Sequence, residues 1–287
     1  MITVSETYLV TGVSGNVGSA VAAALIDSGQ SVRGVLTDPA AAAGLPAGVE
    51  PVVGDLNSAA TLTGSLSGVQ GMFLLPGYDG VGELLAAAKR AGVRRLVQLS
   101  GSSADSRDMT NAVTAYMARA EDLACASGLA WTILRPNAFM SNAFRWLPQL
   151  RVGDELRLPF GHVPAAVIDP ADIGAVAAAA LTSDQHAERI YRLTGPEPLT
   201  PVEQATILAG ALDRRLRIVA QPNDEARAEM LTQMPAAYVD AFFDFYVAGR
   251  LDESTVLPTV EQVLGRAPGD FTSWAHRHRA AFDAPAA

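Results

Sequence analysis

The stretch Tyr8-Leu9-Val10-Thr11-Gly12-Val13-Ser14-Gly15-Asn16-Val17-Gly18, followed by the alanine-rich run 20–26, decides the fold. The apolar triplet predicts a buried strand, and the run after the last glycine predicts a helix that stops at Gly29. Gly12, Gly15 and Gly18 occupy the turn between them at G-x-x-G-x-x-G spacing. There the first glycine permits a tight turn, the second lets backbone N–H groups approach a diphosphate, and the third lets helix and strand pack closely. The helix N-terminus adds positive potential. Thr11, Gly12, Ser14, Gly15, Asn16, Val17 and Gly18 are therefore the candidate dinucleotide-binding loop. The other reading is a degenerate fold that keeps these glycines for packing alone.

Working outward, strands are predicted at 31–36, 49–53, 71–75, 95–100, 131–135 and 190–193, and helices at 59–66, 81–91, 114–127 and 170–181. This alternation calls for an α/β fold, a Rossmann-type doubly wound parallel sheet. After Pro136 the pattern loosens, Pro148, Pro159 and Pro164 marking loops, and the rest is mostly helical, with a last helix at 271–282. No repeat or low-complexity linker interrupts the chain. It reads as one NAD(P)-binding Rossmann-like domain over 1–287, with a smaller, mostly helical C-terminal substrate region. The pocket elements are expected mainly in 137–170 and 190–287.

Composition narrows the partners. Apolar residues make up 49% and charged residues 18%, and no apolar run reaches the roughly 18 to 20 residues of a membrane span. Residues 1–6 lack the basic and apolar regions of a signal peptide. A formal charge of −9 opposes a nucleic-acid backbone, and the basic clusters, such as Lys89-Arg90 with Arg94-Arg95, are short. Cys125 is the only cysteine, which excludes an intramolecular disulfide and a cysteine-rich metal site. The expectation is a soluble, cytoplasmic protein with a small-molecule substrate, no metal, no membrane and no direct nucleic-acid partner. A homodimer is compatible with the chain.

Further candidates lie at strand ends. Asp38, twenty residues beyond Gly18, can accept hydrogen bonds from the adenosine ribose, favouring NAD(H), or can serve as a turn aspartate before Pro39. Arg33 lies inside the second strand and could meet a 2′-phosphate or face elsewhere. Asp55, in Gly54-Asp55-Leu56, can reach the adenine together with the Leu56 backbone, or can cap a turn. Tyr238, Phe242, Phe243, Phe245 and Tyr246 suit the face of a core or interface helix better than the wall of a planar-substrate pocket. His162 falls in the expected substrate region, as a substrate contact or a loop residue, and no histidine stands in a metal-ligand pattern. No nucleophile elbow marks a hydrolase.

Taken together, these residues resemble the NmrA-like branch of the atypical short-chain dehydrogenases, which includes quinone and dye reductases and redox-sensing regulators. The resemblance spans nearly the whole chain. It is carried by the glycine stretch, Gly54-Asp55-Leu56, Leu96-Val97-Gln98-Leu99-Ser100, and Glu121 followed by Ser127-Gly128-Leu129 and Trp131-Thr132-Ile133-Leu134-Arg135-Pro136-Asn137. Pro170-Ala171-Asp172-Ile173, Gly265-Arg266 and Phe271-Thr272-Ser273-Trp274-Ala275 complete it. The resemblance implies Leu74, Leu75 and Pro76 beneath the adenine and ribose, and Ser100, Gly101 and Ser102 near the nicotinamide ribose. Pro136, Asn137, Ala138 and Phe139 would border the nicotinamide and the substrate.

Two departures matter. Where NADP-preferring relatives carry an arginine after the second strand, this chain has Thr37, which offers no bidentate charged contact to a 2′-phosphate. The cofactor is thus NADP(H) or NAD(H). The Tyr-x-x-x-Lys pair is also missing, because Tyr116 is followed four residues later by Ala120. Tyr116 is left as the candidate proton donor, with helix packing as its other role and Arg119 as a neighbour that could lower its pKa. Hydride transfer to a ketone needs a positioned acid. A quinone, azo or other conjugated acceptor gives a delocalised anion and needs it less. The sequence therefore points to an NAD(P)H-dependent oxidoreductase for such acceptors. The alternatives are a non-catalytic redox sensor acting through a protein partner, or a pathway protein using the cleft for a non-redox step.

Overall fold

The computed structural model describes residues 5–283. The reading of residues 1–6 as lacking a leader falls in part on 1–4, outside the described residues. β1 (Thr7–Val10) leads through the glycine turn into α1 (Asn16–Asp27), β2 (Ser31–Leu36) and β3 (Val49–Val53). β4 (Val69–Leu74), α2 (Val81–Arg90), β5 (Arg95–Leu99), α3 (Ala112–Ala126) and β6 (Ala130–Pro136) follow. Next come α4 (Leu147–Val152), β7 (Glu155–Leu158), α5 (Pro170–Thr182), β8 (Arg189–Leu193), α6 (Pro201–Leu212) and β9 (Arg217–Ala220). The chain closes on α7 (Asn223–Gln233), α8 (Ala236–Tyr246), α9 (Thr259–Leu264) and α10 (Phe271–Asp283).

Seven strands form a parallel sheet in the order β3-β2-β1-β4-β5-β6-β8. Strand residues alternate between its two covered faces. Tyr8 and Val10 pack with Val21 of α1 and Ile173 of α5, whereas Leu9 packs on the opposite face with Leu84 and Leu85 of α2. Strand order reverses between β1 and β4, so a crevice opens there at the C-terminal strand ends. The glycine loop and the segment after Leu74 border it.

Three local differences from the sequence reading have physical reasons. The helix expected at 59–66 is two 3₁₀ turns, Ala59–Thr61 and Thr63–Leu66. Leu62 and Leu66 anchor them in the core, but Thr61, Thr63, Gly64 and Ser65 are poor helix formers. α3 starts earlier than expected, because the Asn111 side chain accepts from Val113 N and Thr114 N, both at 3.1 Å. The looser region after Pro136 holds a 3₁₀ segment (Met140–Trp146), α4 and β7, and β7 pairs in parallel with β9, Leu156 opposite Ile218.

This second, two-stranded sheet belongs to a separate apolar cluster with Leu208, Phe271 and Trp274. Buried carboxylates join it to the main sheet. Asp169 caps α5 by accepting from Ala171 N at 2.9 Å, and it takes Arg277 of α10 as well. Asp172 accepts from Arg266 and from Gly269 N, both at 2.7 Å. The Pro170-Ala171-Asp172-Ile173 and Gly265-Arg266 motifs are the two halves of this joint.

Candidate functional site

Gly12 holds a left-handed φ of +62°, and a Cβ there would overlap the Leu75 side chain. At Gly18 a Cβ would overlap the Gly12 carbonyl oxygen and lie 2.5 Å from its carbon. Gly15 differs, since its Cβ would meet only Gly12 O, at 3.3 Å, and otherwise point into open space. Ser14, Gly15 and Asn16 are exposed, while Thr11, Val13, Val17 and Gly18 are buried. No side chain caps α1 and no acidic residue occupies its first turn. Its first N–H groups therefore stand at an exposed, uncharged end, the electrostatic setting that a diphosphate fits. Thr11 acts below this surface, its Oγ1 donating to Phe73 O at 3.1 Å and accepting from Leu75 N at 3.0 Å.

At the ends of β2 and β3 the turn roles are filled. Asp38 Oδ1 accepts from Ala40 N at 2.9 Å, and Asp55 Oδ1 from Asn57 N at 2.8 Å. Thr37 and Asp38 are exposed, and only one Asp38 oxygen is engaged. Arg33 is committed elsewhere, pairing with Glu50 at 3.2 Å and donating to Ser65 O and Ser67 O at 2.8 and 2.7 Å. Leu56 and Leu74 have their side chains in the core, and both residues are buried. Leu75 and Pro76 are half-buried beside the glycine loop.

The ends of β5 and β6 carry a denser polar arrangement. Ser100 Oγ donates to Glu121 Oε1 at 2.6 Å. Arg135 holds the same carboxylate in a fork, Nε to Oε1 at 2.9 Å and Nη2 to Oε2 at 2.8 Å, and also reaches Asp105 at 2.6 Å. The hydrogen bond that Arg135 donates to Glu121 chiefly raises the Arg135 pKa, against the opposing effect of burial. Gly101 lies against Met117, the nearest side chain at 3.4 Å from its would-be Cβ. Asn137 is 1% exposed, and its Oδ1 has no hydrogen-bond partner. An unpaired buried acceptor at a β6 end is one that a ligand N–H or O–H would satisfy, so this end too fits the amide-bearing half of a dinucleotide.

Ala138 and Phe139 continue from β6 into the wall of a cavity of about 650 Å³. Asn142, Trp146, Phe160, Gln204, Met230, Phe242 and Tyr246 also line it, with Arg145 and Arg157. The aromatic segment of α8 is therefore split. Phe245 is buried, 5% exposed, whereas Phe242 and Tyr246 line the cavity. Phe160 sits at a left-handed φ of +53°, its ring against Phe243 and Tyr246, each with centroids 5.2 Å apart. For a bulky residue this conformation costs about 1–2 kcal/mol.

His162 is exposed on the turn after Phe160 and does not line the cavity. Tyr116 does not line it either; its ring lies beside Gly77 and 6.4 Å from that of Tyr238. Burial, with Tyr238, pushes its phenol up to about 12, opposite to the effect expected of Arg119, which is exposed. The residue that sequence reasoning missed is Glu253, 4% exposed. It accepts from Ser102 Oγ at 2.6 Å and Ala138 N at 3.0 Å, and its backbone oxygen takes Asn137 Nδ2 at 2.8 Å. These three partners lie more than a hundred positions away along the chain, so no local pattern announces it. Among the described residues no cluster of His, Cys, Asp or Glu is placed to hold a metal, and no helix is long and apolar enough to cross a membrane.

Residues 12–184 match a family described as NAD(P)H-binding. The chain is 36% identical to the (4-alkanoyl-5-oxo-2,5-dihydrofuran-3-yl)methyl phosphate reductase of Streptomyces griseus subsp. griseus, over 96% of this chain and 98% of that one. It is 34% identical to the NAD(P)H azoreductase of Xenophilus azovorans, over 96% and 99%. A crystal structure of an NADPH-dependent quinone oxidoreductase from Escherichia coli shares the fold, at a TM-score of 0.77 and 21% identity over 94% and 98%. These findings agree with the NmrA-like resemblance and favour turnover over the sensor and non-redox readings. The chain is an NAD(P)H-dependent oxidoreductase and belongs to the NAD(P)H-binding family.

Proposed function

We propose that this oxidoreductase passes hydride to a planar, conjugated small molecule, quinone-like, azo or a conjugated carbonyl, held in the cavity beside the β6 end. The observation that carries this reading is the aromatic wall of Phe160, Phe242 and Tyr246 continuing from Ala138 and Phe139. Thr11–Gly18 and the first turn of α1 hold the diphosphate in this reading, and Asp38, Asp55, Leu56 and Leu74–Pro76 flank the adenosine. Ser100–Ser102 and Pro136–Ala138 hold the nicotinamide, whose reduced ring supplies the hydride. Orientation and exclusion of water are the protein's contribution. Titration with NADH and NADPH, followed by turnover of a quinone, an azo dye and a conjugated butenolide, tests it. Binding without turnover of any of them would sink the acceptor class. Cytoplasmic residence is inferred from the composition and lone cysteine.

The cavity also carries charge. Arg157 is paired with Glu225, whereas Arg145 makes no ion pair or hydrogen bond among the described residues and is exposed at the cavity wall. The butenolide reductase relative is named for a phosphate ester, and Arg145 suits such an anionic substituent. Arg145→Gln is expected to raise KM about fivefold for a phosphorylated acceptor relative to its uncharged analogue, modest because the group is exposed. Equal KM changes for the two would remove Arg145 from anion binding.

Cofactor choice has its own test. Thr37→Arg is expected to tighten NADPH binding about tenfold while leaving NADH little changed, since one charge-assisted contact is gained. Fluorescence titration reads both affinities. An unchanged NADPH affinity would place the 2′-phosphate away from the β2 end.

A further inference from the structure

Glu253 lies between the cofactor end of the sheet and the cavity. Ser102 and Ala138 share its Oε1, while Oε2 stands 3.2 Å from Tyr246 Oη. Burial pushes the Glu253 carboxyl up, opposed by its hydrogen bonds with Ser102, Tyr246 and Ala138 and by Arg192 of β8, the cation acting on it. Tyr246 is also pushed up, by burial first and then by Glu253, with Arg145 opposing. No ammonium or guanidinium pairs directly with either group among the described residues, and burial favours the protonated form of each. Oε1 accepts two hydrogen bonds and Oε2 only the one that Tyr246 Oη donates, so Oε2 is the oxygen with room to take up a proton. A proton on Oε2 would donate to Oη in return and release the Tyr246 O–H to turn toward the cavity that this residue lines.

We propose that Glu253 and Tyr246 form a proton-delivery pair for the reduction, in place of the Tyr-x-x-x-Lys pair that Tyr116 and Ala120 do not make. The proposal rests on the cavity being the acceptor site. Hydride from the reduced dinucleotide forms a C–H bond on the acceptor, and the displaced π pair moves to the conjugated oxygen. Tyr246 gives its proton to that oxygen while the Glu253 proton passes from Oε2 to Tyr246 Oη. The Glu253 carboxylate left behind is held by Ser102 Oγ–H and Ala138 N–H, and solvent returns its proton after product leaves. The net change is oxidation of the dinucleotide and addition of one hydride and one proton to the acceptor.

The test compares two acceptors with different proton needs. A conjugated enone must gain a proton, whereas a triarylmethane cation takes hydride at carbon and becomes neutral without one. Tyr246→Phe and Glu253→Gln are expected to lower the enone-to-cation ratio of kcat by about 100-fold, the lower range for a positioned acid. An unchanged ratio, with both rates falling together, would make the pair merely structural and overturn the proposal. Infrared spectroscopy supplies a readout independent of turnover. At about pH 8 an ordinary carboxyl is ionised, so a protonated-carboxyl C=O band present in the wild type and absent in Glu253→Gln is expected. Absence of that band in the wild type overturns the pair whatever the cavity binds. Presence of the band with turnover of neither acceptor instead overturns the reading of the cavity, and with it the pair's task.

Discussion

Gly18→Ala is expected to weaken dinucleotide binding by at least about 100-fold and to destabilise the fold, whereas Gly15→Ala should weaken binding and leave stability nearly unchanged. The contrast follows from what each methyl would meet. At Gly18 it would overlap the Gly12 carbonyl, a backbone atom that cannot rotate away, so α1 must shift off the β1 turn. Overpacking of this kind costs about 1–3 kcal/mol. The shift also re-aims the N–H groups at the head of α1, and losing one or two charge-assisted hydrogen bonds, each about 1.5–3 kcal/mol, accounts for the affinity. At Gly15, φ is −94°, which alanine adopts freely, and apart from Gly12 O at 3.3 Å the methyl would meet open space. Urea unfolding and dinucleotide titration of both variants separate the two effects. Wild-type affinity in Gly15→Ala would mean that the diphosphate does not approach this loop.

The glycine loop was legible because its information is local. Three glycines at fixed spacing between a buried triplet and an apolar helix leave few alternatives, and the strands that follow are short apolar runs with turn residues between them. The 59–66 segment shows where periodicity misleads. Leu62 and Leu66 stand four apart, as in a helix, yet their threonine, glycine and serine neighbours leave only 3₁₀ turns. β7 and β9 were not read because each has four residues and its partner lies some sixty positions away. The spacing in α8 that suited a core face serves two ends: Phe245 is buried, while Phe242 and Tyr246 line the cavity. Glu253 is the limiting case. Its environment is assembled from Ser102, Asn137, Ala138 and Tyr246, and nothing in Leu251-Asp252-Glu253-Ser254 distinguishes a buried acid from a solvated one.

Glu121→Ala is expected to lower the unfolding free energy by about 3 kcal/mol, the low end for breaking a buried ion pair. Glu121 and Arg135 have side-chain exposures of 3% and 8%, so removing the carboxylate leaves a guanidinium buried with Asp105 as its remaining partner. Asp105 is 62% exposed, and solvent screens much of what it can return. Glu121→Gln keeps an acceptor for Ser100 and for one arm of the fork, and should cost less. The double variant Glu121→Leu with Arg135→Met should recover most of the loss, because two apolar groups of similar volume avoid the desolvation of both charges. Recovered stability would not restore the site, since Ser100 Oγ would have lost the carboxylate that orients it. The double variant is therefore expected to unfold near the wild-type urea midpoint while binding dinucleotide more weakly. If it is instead as unstable as Glu121→Ala, the pair holds α3 against β6 energetically. Wild-type binding in the double variant would show that Ser100 needs no orientation to serve the cofactor.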